Sequence, residues 1–426
     1  MHTIRDAKIS GQQSITMAGK GQYDVAPGVK RRTFLSACLG IAIAFVLGLD
    51  MSSVQAQVGG ASAAAIASGK SGPVFAYVGC RTTKERNARG EGINVYRVDP
   101  SSGSWTHVQL VGNLVNPSFL AFDRRQNFLY SVHGDFSEVS SFKVNRQTGE
   151  LTLLNRQSTQ GKNPVHLVVD PTNRFLVISN YATGTLALLP IQEDGTLGPL
   201  KDFAKLPGNP GPHKVEQTIS HPHHNPLDPG ERFIIVPDKG LDKIFTFRID
   251  VENGKLIAGP SVETRETSGP RHIVFHPGKA YAYVINELDS TVTTYRYNAE
   301  RGELAPMQIL TALPATFTGN NRSSEIAITT SGRFVYASNR GHDSIAIFAV
   351  DQTTGMLSSV GWESTQGKNP RFFSLDPTGA FMYAANENSD TIVTYWIDPV
   401  TGKLSPTGQI IKTGSPVCII FSSGGP

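Results

Sequence analysis

The chain repeats one phrase of residues seven times, and this repetition restricts the fold more than any other feature. One copy runs from Asn116-Pro117-Ser118-Phe119 through an apolar segment, an aromatic-rich segment and two further segments joined by a Thr148-Gly149 turn. The copies start 46 to 58 residues apart, at Pro117, Pro164, Pro222, Pro270, Ser324, Pro370 and Pro416. Alternation of apolar and polar residues between turns predicts four short antiparallel strands in each copy. Units of this length, each one small sheet, predict a β-propeller.

The number of strands predicts how the ring closes. Residues 74–112 supply only the second, third and fourth strands of a copy, whereas the copy that starts at Pro416 supplies only a first strand. We therefore expect an all-β, seven-bladed propeller over residues 73–426, with the first blade completed by the C-terminal strand. This closure pairs two sheet edges that would otherwise be open. A pair of β-sandwiches would not repeat one phrase seven times.

A short hydrophobic leader precedes the repeats. Lys30-Arg31-Arg32-Thr33-Phe34-Leu35 comes before residues 36–49, which carry no charge and are fewer than the roughly 20 that a spanning helix needs. Val54-Gln55-Ala56 then offers small residues for cleavage. We predict that residues 1–56 are a twin-arginine-type signal peptide and that residues 57–72 are an Ala/Gly/Ser linker. The mature protein is then expected to be periplasmic or secreted, without stable membrane insertion.

Charge and cysteine content restrict the partners. Outside the predicted leader the chain carries 33 basic and 32 acidic residues, so a nucleic-acid-binding domain has little electrostatic support. A closed ring also has no edge that needs a second copy, so we expect a monomer.

Cys80 and Cys418 fall on neighbouring strands of the first blade and are the only cysteines after the leader. Either a disulfide that holds the ring closed or two buried thiols would fit an exported protein.

The repeat also predicts which side chains meet at the central channel. The residues that follow the seven starting positions should converge on one mouth of the channel: Ser118, Val165, His223, Arg271, Glu325, Arg371 and Val417. The loops that leave the second strands should reach the same mouth and add His133, Asn180, Lys239, Glu287, Arg340 and Glu387. A solvated rim would explain any one of these residues. Acids, a histidine and several arginines on adjacent blades predict a site for an anionic ligand.

These residue types suit chemistry on an ester or an enolate. The chain has no serine phrase of the nucleophile-elbow type. Paired arginines can hold an oxyanion, a phosphate or a carboxylate, and a carboxylate or imidazole can move a proton through water. A zinc site is a weaker alternative, because His221 and His223 share a face, His224 points away and a third ligand is needed. His166 and His272 are expected, like His224, to be hydrogen-bonded core residues.

Several joined phrases resemble the seven-bladed lactonase family. They are Gly269-Pro270-Arg271-His272, Tyr283-Val284-Ile285-Asn286-Glu287-Leu288, Ser323-Ser324-Glu325-Ile326 and Tyr336-Ala337-Ser338-Asn339-Arg340-Gly341-His342-Asp343-Ser344-Ile345. The family contains bacterial propeller-type 6-phosphogluconolactonases and fungal 3-carboxy-cis,cis-muconate lactonizing enzymes, and the likeness covers residues 73–421. The resemblance implies a site without metal or cofactor at one mouth of the channel. The catalytic residues it implies are His223, Arg271, Glu287 and Arg340, and the rim positions add Glu325, Arg371, Lys239 and His133 as substrate-binding residues.

The chain departs from that family at two points. Cys80 stands where the family commonly has Thr, and the leader indicates export, although phosphorylated gluconolactone is a cytoplasmic intermediate. We therefore expect an exported lactonase that hydrolyses a sugar-type lactone, with Arg271 and Arg340 on the carbonyl oxygen or an anionic substituent. Glu287 would activate water and His223 would protonate the leaving oxygen, or the two roles would be exchanged. A muconate cycloisomerase and a non-catalytic propeller that binds a protein or glycan are the alternatives.

Overall fold

The computed structural model describes residues 72–423 as short antiparallel strands with one 3₁₀ turn at Lys84–Arg86. The predicted leader lies outside the described residues, and so does the predicted linker up to residue 71. In chain order the strands are β1 Val74–Cys80, β2 Ile93–Val98, β3 Trp105–Val111, β4 Pro117–Phe122, β5 Phe128–His133, β6 Glu138–Val144, β7 Leu151–Ser158, β8 Pro164–Val169, β9 Phe175–Asn180, β10 Thr185–Pro190, β11 Asp202–Lys205, β12 Ile234–Asp238, β13 Lys243–Asp250, β14 Lys255–Glu263, β15 Pro270–Phe275, β16 Tyr281–Asn286, β17 Thr291–Asn298, β18 Glu303–Thr311, β19 Arg322–Ile328, β20 Phe334–Arg340, β21 Ser344–Val350, β22 Leu357–Ser364, β23 Pro370–Leu375, β24 Phe381–Asn386, β25 Thr391–Ile397, β26 Leu404–Lys412 and β27 Pro416–Phe421. Within residues 72–423, no helix has the length and apolar character required to cross a bilayer.

The strands form seven sheets, which are the seven predicted blades. Blade 1 has the order β27-β1-β2-β3, so the C-terminal strand completes the first blade as predicted. Blades 2, 3, 5, 6 and 7 each contain four consecutive strands, β4–β7, β8–β11, β15–β18, β19–β22 and β23–β26. The first strands of neighbouring blades contact one another around the ring, as β4 does with β8 and with β27. The prediction of a closed seven-bladed propeller is confirmed.

Blade 4 departs from the expected four strands. Its sheet contains only β12, β13 and β14, and the segment that starts at Pro222 makes isolated bridges, Pro222 with Asp238 and Leu227 with Ile234. Five other first strands also begin with proline, so the difference lies further along the segment, where Pro226 has no N–H to donate and interrupts the hydrogen-bond ladder. The segment still occupies the first-strand position, because the His223 amide donates to the Pro237 carbonyl of β12.

A β-bulge near the start of the first strand recurs in the other six blades. The register slips between Pro270 and His272 in β15, and at the equivalent positions of β4, β8, β19, β23 and β27. A bulge leaves its extra residue outside the ladder and turns the side chain in a new direction. In blades 5 and 7 the extra residues are Arg271 and Arg371, and both line the channel. The bulge is therefore the local device that points the predicted ring of side chains at the axis.

Tyrosines at one repeated position connect neighbouring blades. The hydroxyl groups of Tyr130, Tyr283, Tyr336 and Tyr383 are buried, and each donates to a glycine carbonyl in a turn of the next blade. Tyr283, for example, lies 3.0 Å from the carbonyl oxygen of Gly355, a residue whose φ of 73° favours glycine. A buried hydroxyl without a partner costs about 1–3 kcal/mol. These bonds therefore help to fix the order and spacing of the blades.

Cys80 and Cys418 are free thiols, and both are buried. The bulge in β27 places Cys418 opposite Gly79, whereas Cys80 pairs with Pro416. Successive residues of a strand point to opposite faces, so Cys80 and Cys418 do not face each other across the ladder. Of the two alternatives that the sequence leaves open, the structure has the two buried thiols.

Candidate functional site

A polar cavity of about 290 Å³ opens at one mouth of the channel. Its lining includes two carboxylates, Glu216 and Glu287, together with His223. Six cationic side chains also line it: Arg81, Arg86, Lys239, Arg322, Arg340 and Arg371. Asp135 pairs with Arg81 and Arg86, but the six cations still exceed the nearby acids, so the cavity should attract an anion or stabilise developing negative charge. A larger groove of about 470 Å³ between outer strands contains Arg296 and Glu303 but no histidine among the residues that line it.

Glu287 lies at the centre of the charge network. It follows β16 and is buried, with Oε2 3.1 Å from both the Arg271 and the Arg340 guanidinium groups and Oε1 3.0 Å from the Lys239 amine. Burial by itself would raise the pKa of this carboxyl, but the charges of Arg340, Lys239 and Arg271 hold the pKa well below its usual range. A carboxylate held in this way is a weak base. It orients the cations around it.

The two arginines of this network are also held by backbone carbonyls. Arg271 Nη1 donates to the Ser324 carbonyl at 2.7 Å, and Arg340 Nη2 donates to the Ser323 carbonyl at 3.1 Å. Burial, followed by repulsion from other guanidinium groups, lowers the pKa of Arg271. Arg340 faces the main cavity, whereas Arg271 lines a smaller void of about 10 Å³ beside it. Arg340 is therefore placed to contact a ligand, and Arg271 to hold Glu287.

His223 is the imidazole that faces the cavity. Its Nδ1 lies 3.2 Å from Nε2 of His272, and its ring lies edge-on to Tyr181. Burial and the positive charge of Arg271 lower the pKa of His223 well below its usual value, so the ring is neutral near pH 7. Because Nδ1 is engaged inside the protein, Nε2 is the nitrogen available to a ligand. A neutral imidazole at this place can accept or donate one proton.

The other predicted substrate-binding residues take different positions. Lys239 and Arg371 line the cavity, and Lys239 also lies 2.7 Å from Glu216. Glu325 is buried behind His272, with its Oε1 3.1 Å from His272 Nδ1 and no place in the cavity lining. The channel mouth therefore brings His223, Glu287, Arg340, Lys239 and Arg371 together, with Arg271 and Glu325 just beneath.

The predicted position of His133 is wrong. His133 is the last residue of β5 and pairs with Pro117, as Asn286 of β16 pairs with Pro270. Glu287 is one residue further along the repeat, and the equivalent of Glu287 in blade 2 is therefore Gly134. Because successive strand residues face opposite ways, the His133 ring is directed into the blade, where it bonds the Val115 carbonyl and the Ser140 hydroxyl.

The same register identifies two cavity residues that the sequence prediction omitted. Arg81 follows β1 and Tyr181 follows β9, so both are equivalents of Glu287, and both line the cavity. Glu216 and Arg322 were also missed. Glu216 lies in the loop 206–221 that precedes Pro222, which is longer than the corresponding loop of any other blade, and it contacts Arg322 at 2.6 Å. No repeat pattern could have placed Glu216.

The histidines considered for zinc are separated in the structure. His221 stacks on Tyr181, whereas His224 stacks on His272 with ring centroids 4.2 Å apart. Across residues 72–423, no group of three or more potential ligand side chains is arranged around one metal position. His224 Nδ1 accepts from the Ile273 amide and His166 Nδ1 lies 2.7 Å from the Asn225 side-chain oxygen, as expected of core histidines.

Comparison with known proteins gives consistent matches over the propeller. The family model described as "Lactonase, 7-bladed beta-propeller" matches residues 75–421. A Bacillus subtilis protein named 6-phosphogluconolactonase is 36% identical over 305 residues, which cover 71% of this chain and 85% of the relative. A 6-phosphogluconolactonase of Formosa agariphila is 33% identical over 314 residues, covering 71% of this chain and 86% of the relative. The solved structure of a periplasmic gluconolactonase of Pseudomonas aeruginosa has a TM-score of 0.76 and 30% identity, covering 82% of this chain and 99% of that one.

Proposed function

The chain belongs to the seven-bladed β-propeller lactonase family, and on that premise we propose that it is an exported enzyme that hydrolyses the ring ester of a small sugar-type lactone. The observation that carries the proposal is the imidazole of His223 facing a cavity that Arg340, Lys239 and Arg371 also line. An ester carbonyl needs both a base for water and positive charge for its oxygen. The size of the cavity, close to the lower end of the roughly 300–1,000 Å³ of typical ligand sites, suits a small molecule.

In the proposed mechanism His223 is the base. The water proton passes to His223 Nε2 while the water oxygen attacks the lactone carbonyl. The negative charge that develops on the carbonyl oxygen is held by the guanidinium of Arg340 with Lys239 or Arg371. His223 then returns the proton to the departing ring oxygen, and a hydroxy acid leaves. Glu287, whose pKa lies well below the usual range, holds Arg271, Arg340 and Lys239 in place and does not act as the base.

Export and substrate choice are part of the proposal. The Lys30-Arg31-Arg32 leader supports export, and the Pseudomonas aeruginosa relative is described as a periplasmic gluconolactonase. The Bacillus and Formosa relatives are named for a phosphorylated lactone. The cationic excess of the cavity would suit a phosphate as well as an oxyanion. An exported enzyme would meet unphosphorylated lactones, so we propose glucono-δ-lactone-like compounds as the substrates.

The proposal is tested with a pH-indicator assay of lactone hydrolysis. Purified wild type is compared with His223→Ala on glucono-δ-lactone, 6-phosphogluconolactone and γ-lactones, with the spontaneous rate subtracted, and a 3-carboxymuconate is followed separately by its ultraviolet absorbance. We expect wild-type hydrolysis of a δ-lactone and a loss of about 10²-fold or more in kcat for His223→Ala. Glu303→Gln, a change on the outer strand β18, is the control and should retain full activity. Consumption of a muconate alone would indicate the cycloisomerase, and inactivity on every compound would indicate a binding propeller.

A further inference from the structure

Three buried side chains on three successive blades form one hydrogen-bonded line that ends at the cavity. His223 of blade 4 lies 3.2 Å from His272 of blade 5, Nδ1 to Nε2. The other ring nitrogen of His272, Nδ1, lies 3.1 Å from Oε1 of Glu325 in blade 6. All three residues are less than 8% exposed. The line therefore connects a carboxyl beneath the cavity with the imidazole that faces it.

We propose that Glu325 and His272 are positioning residues that relay protons to and from His223 during lactone hydrolysis. The inference rests on the proposed function for its chemistry, but the relay itself is a property of the three side chains. An imidazole in such a line can accept a proton at one ring nitrogen and release a different proton from the other ring nitrogen, so a proton can be passed along it. The protonation state of Glu325 then decides whether His223 offers a lone pair or an N–H to the cavity.

The surroundings of Glu325 fit a carboxyl that changes its protonation state. Its Oε2 is buried and makes no hydrogen bond within the described part of the chain, which a permanently ionised structural carboxylate would not tolerate well. Burial raises the pKa of Glu325 to about 8, although the charges of Arg271 and Arg371 lower it. A proton acceptor whose pKa lies close to the working pH is effective in both directions.

Charged and titratable groups of several neighbouring strands surround the relay. Arg271 of β15 and Arg371 of β23 face Glu325 and favour its ionised form, and the Cys418 thiol of β27 lies nearby. His272 is flanked by His166 and His224, and burial and the charge of Arg271 lower its pKa well below the usual value. A lasting imidazolium is therefore disfavoured at His272, and a proton that enters the line should continue to Glu325.

Among the three equivalent core histidines, His166, His224 and His272, only His272 has at each ring nitrogen a partner that can exchange a proton. His166 Nδ1 lies against Asn225, whose amide cannot take up a proton, and His224 Nδ1 accepts from the Ile273 backbone amide. His272 alone has an imidazole on one nitrogen and a carboxyl on the other. Its ring plane is fixed by the parallel stack on His224, with an angle of 8° between the rings. The same repeat position thus carries a different chemical role in blade 5.

The relay moves protons in two steps, first from water towards Glu325 and then back to the leaving oxygen. With Glu325 ionised, His272 Nδ1–H donates to Glu325 and His223 Nδ1–H donates to His272, so Nε2 of His223 has a free lone pair. As a water O–H bond breaks and the new C–O bond forms, the water proton moves to His223, the His223 proton to His272 and the His272 proton to Glu325. When the bond between the carbonyl carbon and the ring oxygen breaks, the proton returns by the same path to that oxygen.

A pH profile separates this relay from a structural role. If Glu325 must be ionised, wild-type kcat/KM should rise with pH and level off above the pKa of about 8. Glu325→Gln cannot store a proton, so its kcat/KM should lack this rise. The ratio of wild type to variant should therefore grow from near 1 at pH 6 to about 10²-fold at pH 9. A ratio that stays constant across pH would overturn the relay while leaving the lactonase proposal intact. Glu303→Gln is the matched surface control.

A second measurement needs neither a variant nor a substrate. ¹⁵N NMR of the histidine rings in wild type should show the tautomers of His223 and His272 exchanging together around the pKa of Glu325, while His166 stays unchanged. Ring tautomers that do not change between pH 6 and 9 would refute the relay even if Glu325→Gln failed to fold. A coupled change in a protein that hydrolyses no lactone would support the relay and reject the proposed reaction.

Discussion

Replacing Glu287 by Gln tests whether one carboxylate neutralises the cations of the cavity. In the structure this carboxylate lies 3.0–3.1 Å from Lys239, Arg271 and Arg340; the Glu287, Lys239 and Arg271 side chains are buried, and that of Arg340 is 11% exposed. Gln has nearly the same volume, so the change removes charge and little else. Removing one partner of a buried ion pair costs about 3–5 kcal/mol, because the remaining charge is left uncompensated. We expect the free energy of unfolding to fall by that amount at pH 7.

The pH dependence of this loss gives a sharper test. The folded-state pKa of Glu287 is held below its unfolded value, so its stabilisation is present above the unfolded pKa and is lost as pH falls through the folded pKa. Urea unfolding of wild type and Glu287→Gln should therefore differ most near neutral pH and converge in acid. Inorganic phosphate should stabilise the variant more than wild type, because the cavity of the variant has one more positive charge.

Glu303→Gln is again the appropriate control. Its ion pair with Arg301 lies on the surface, where such pairs contribute about 0–1 kcal/mol. If Glu287→Gln unfolds at the same urea concentration as wild type at pH 7, the argument that this carboxylate neutralises the buried cations is refuted. Equal losses for the two variants would also refute it, since the burial of the network would then have no energetic consequence.

Three further predictions concern the blades and the rim. Tyr283→Phe should lower the free energy of unfolding, measured in urea, by about 1 kcal/mol, because the buried Gly355 carbonyl loses its donor. The hydroxyl of Tyr281 bonds an exposed carbonyl, so the control Tyr281→Phe should change it by less than about 0.5 kcal/mol. The thiols of Cys80 and Cys418 should resist iodoacetamide in the native protein, since burial raises the pKa of both, that of Cys80 to about 12. Unfolding without reductant should expose both thiols to alkylation. A chain that must first be reduced would contradict the free-thiol state. Glu216→Gln should lower KM for 6-phosphogluconolactone more than for glucono-δ-lactone, because Glu216 offsets the charges of Lys239 and Arg322. Equal KM changes for the two substrates would show that the phosphate does not reach this end of the cavity.

The sequence by itself determined the architecture and most of the residues at the channel mouth. A repeated phrase places equivalent residues at equivalent points of a ring, so His223, Arg271 and Arg371 could be assigned to the axis before any coordinates. The same logic predicted the closure of blade 1 by β27. At His133 and Asn180 the repeat is assigned one residue out of phase and the predicted rim position is wrong, because one residue is the difference between the two faces of a strand.

The tertiary structure alone decided the electrostatics and the connections between blades. The sequence makes Glu287 a candidate base, but the distances that show it surrounded by three cations join residues far apart in the chain. Glu216 lies in a loop that is longer in blade 4 than in any other blade, and Glu325 is directed behind His272 by the bulge of β19. The alternation of apolar and polar residues along a strand indicates only which face of the sheet a side chain shares with its neighbours in sequence. Charge balance and hydrogen-bond partners depend on which distant side chains meet once the ring has closed.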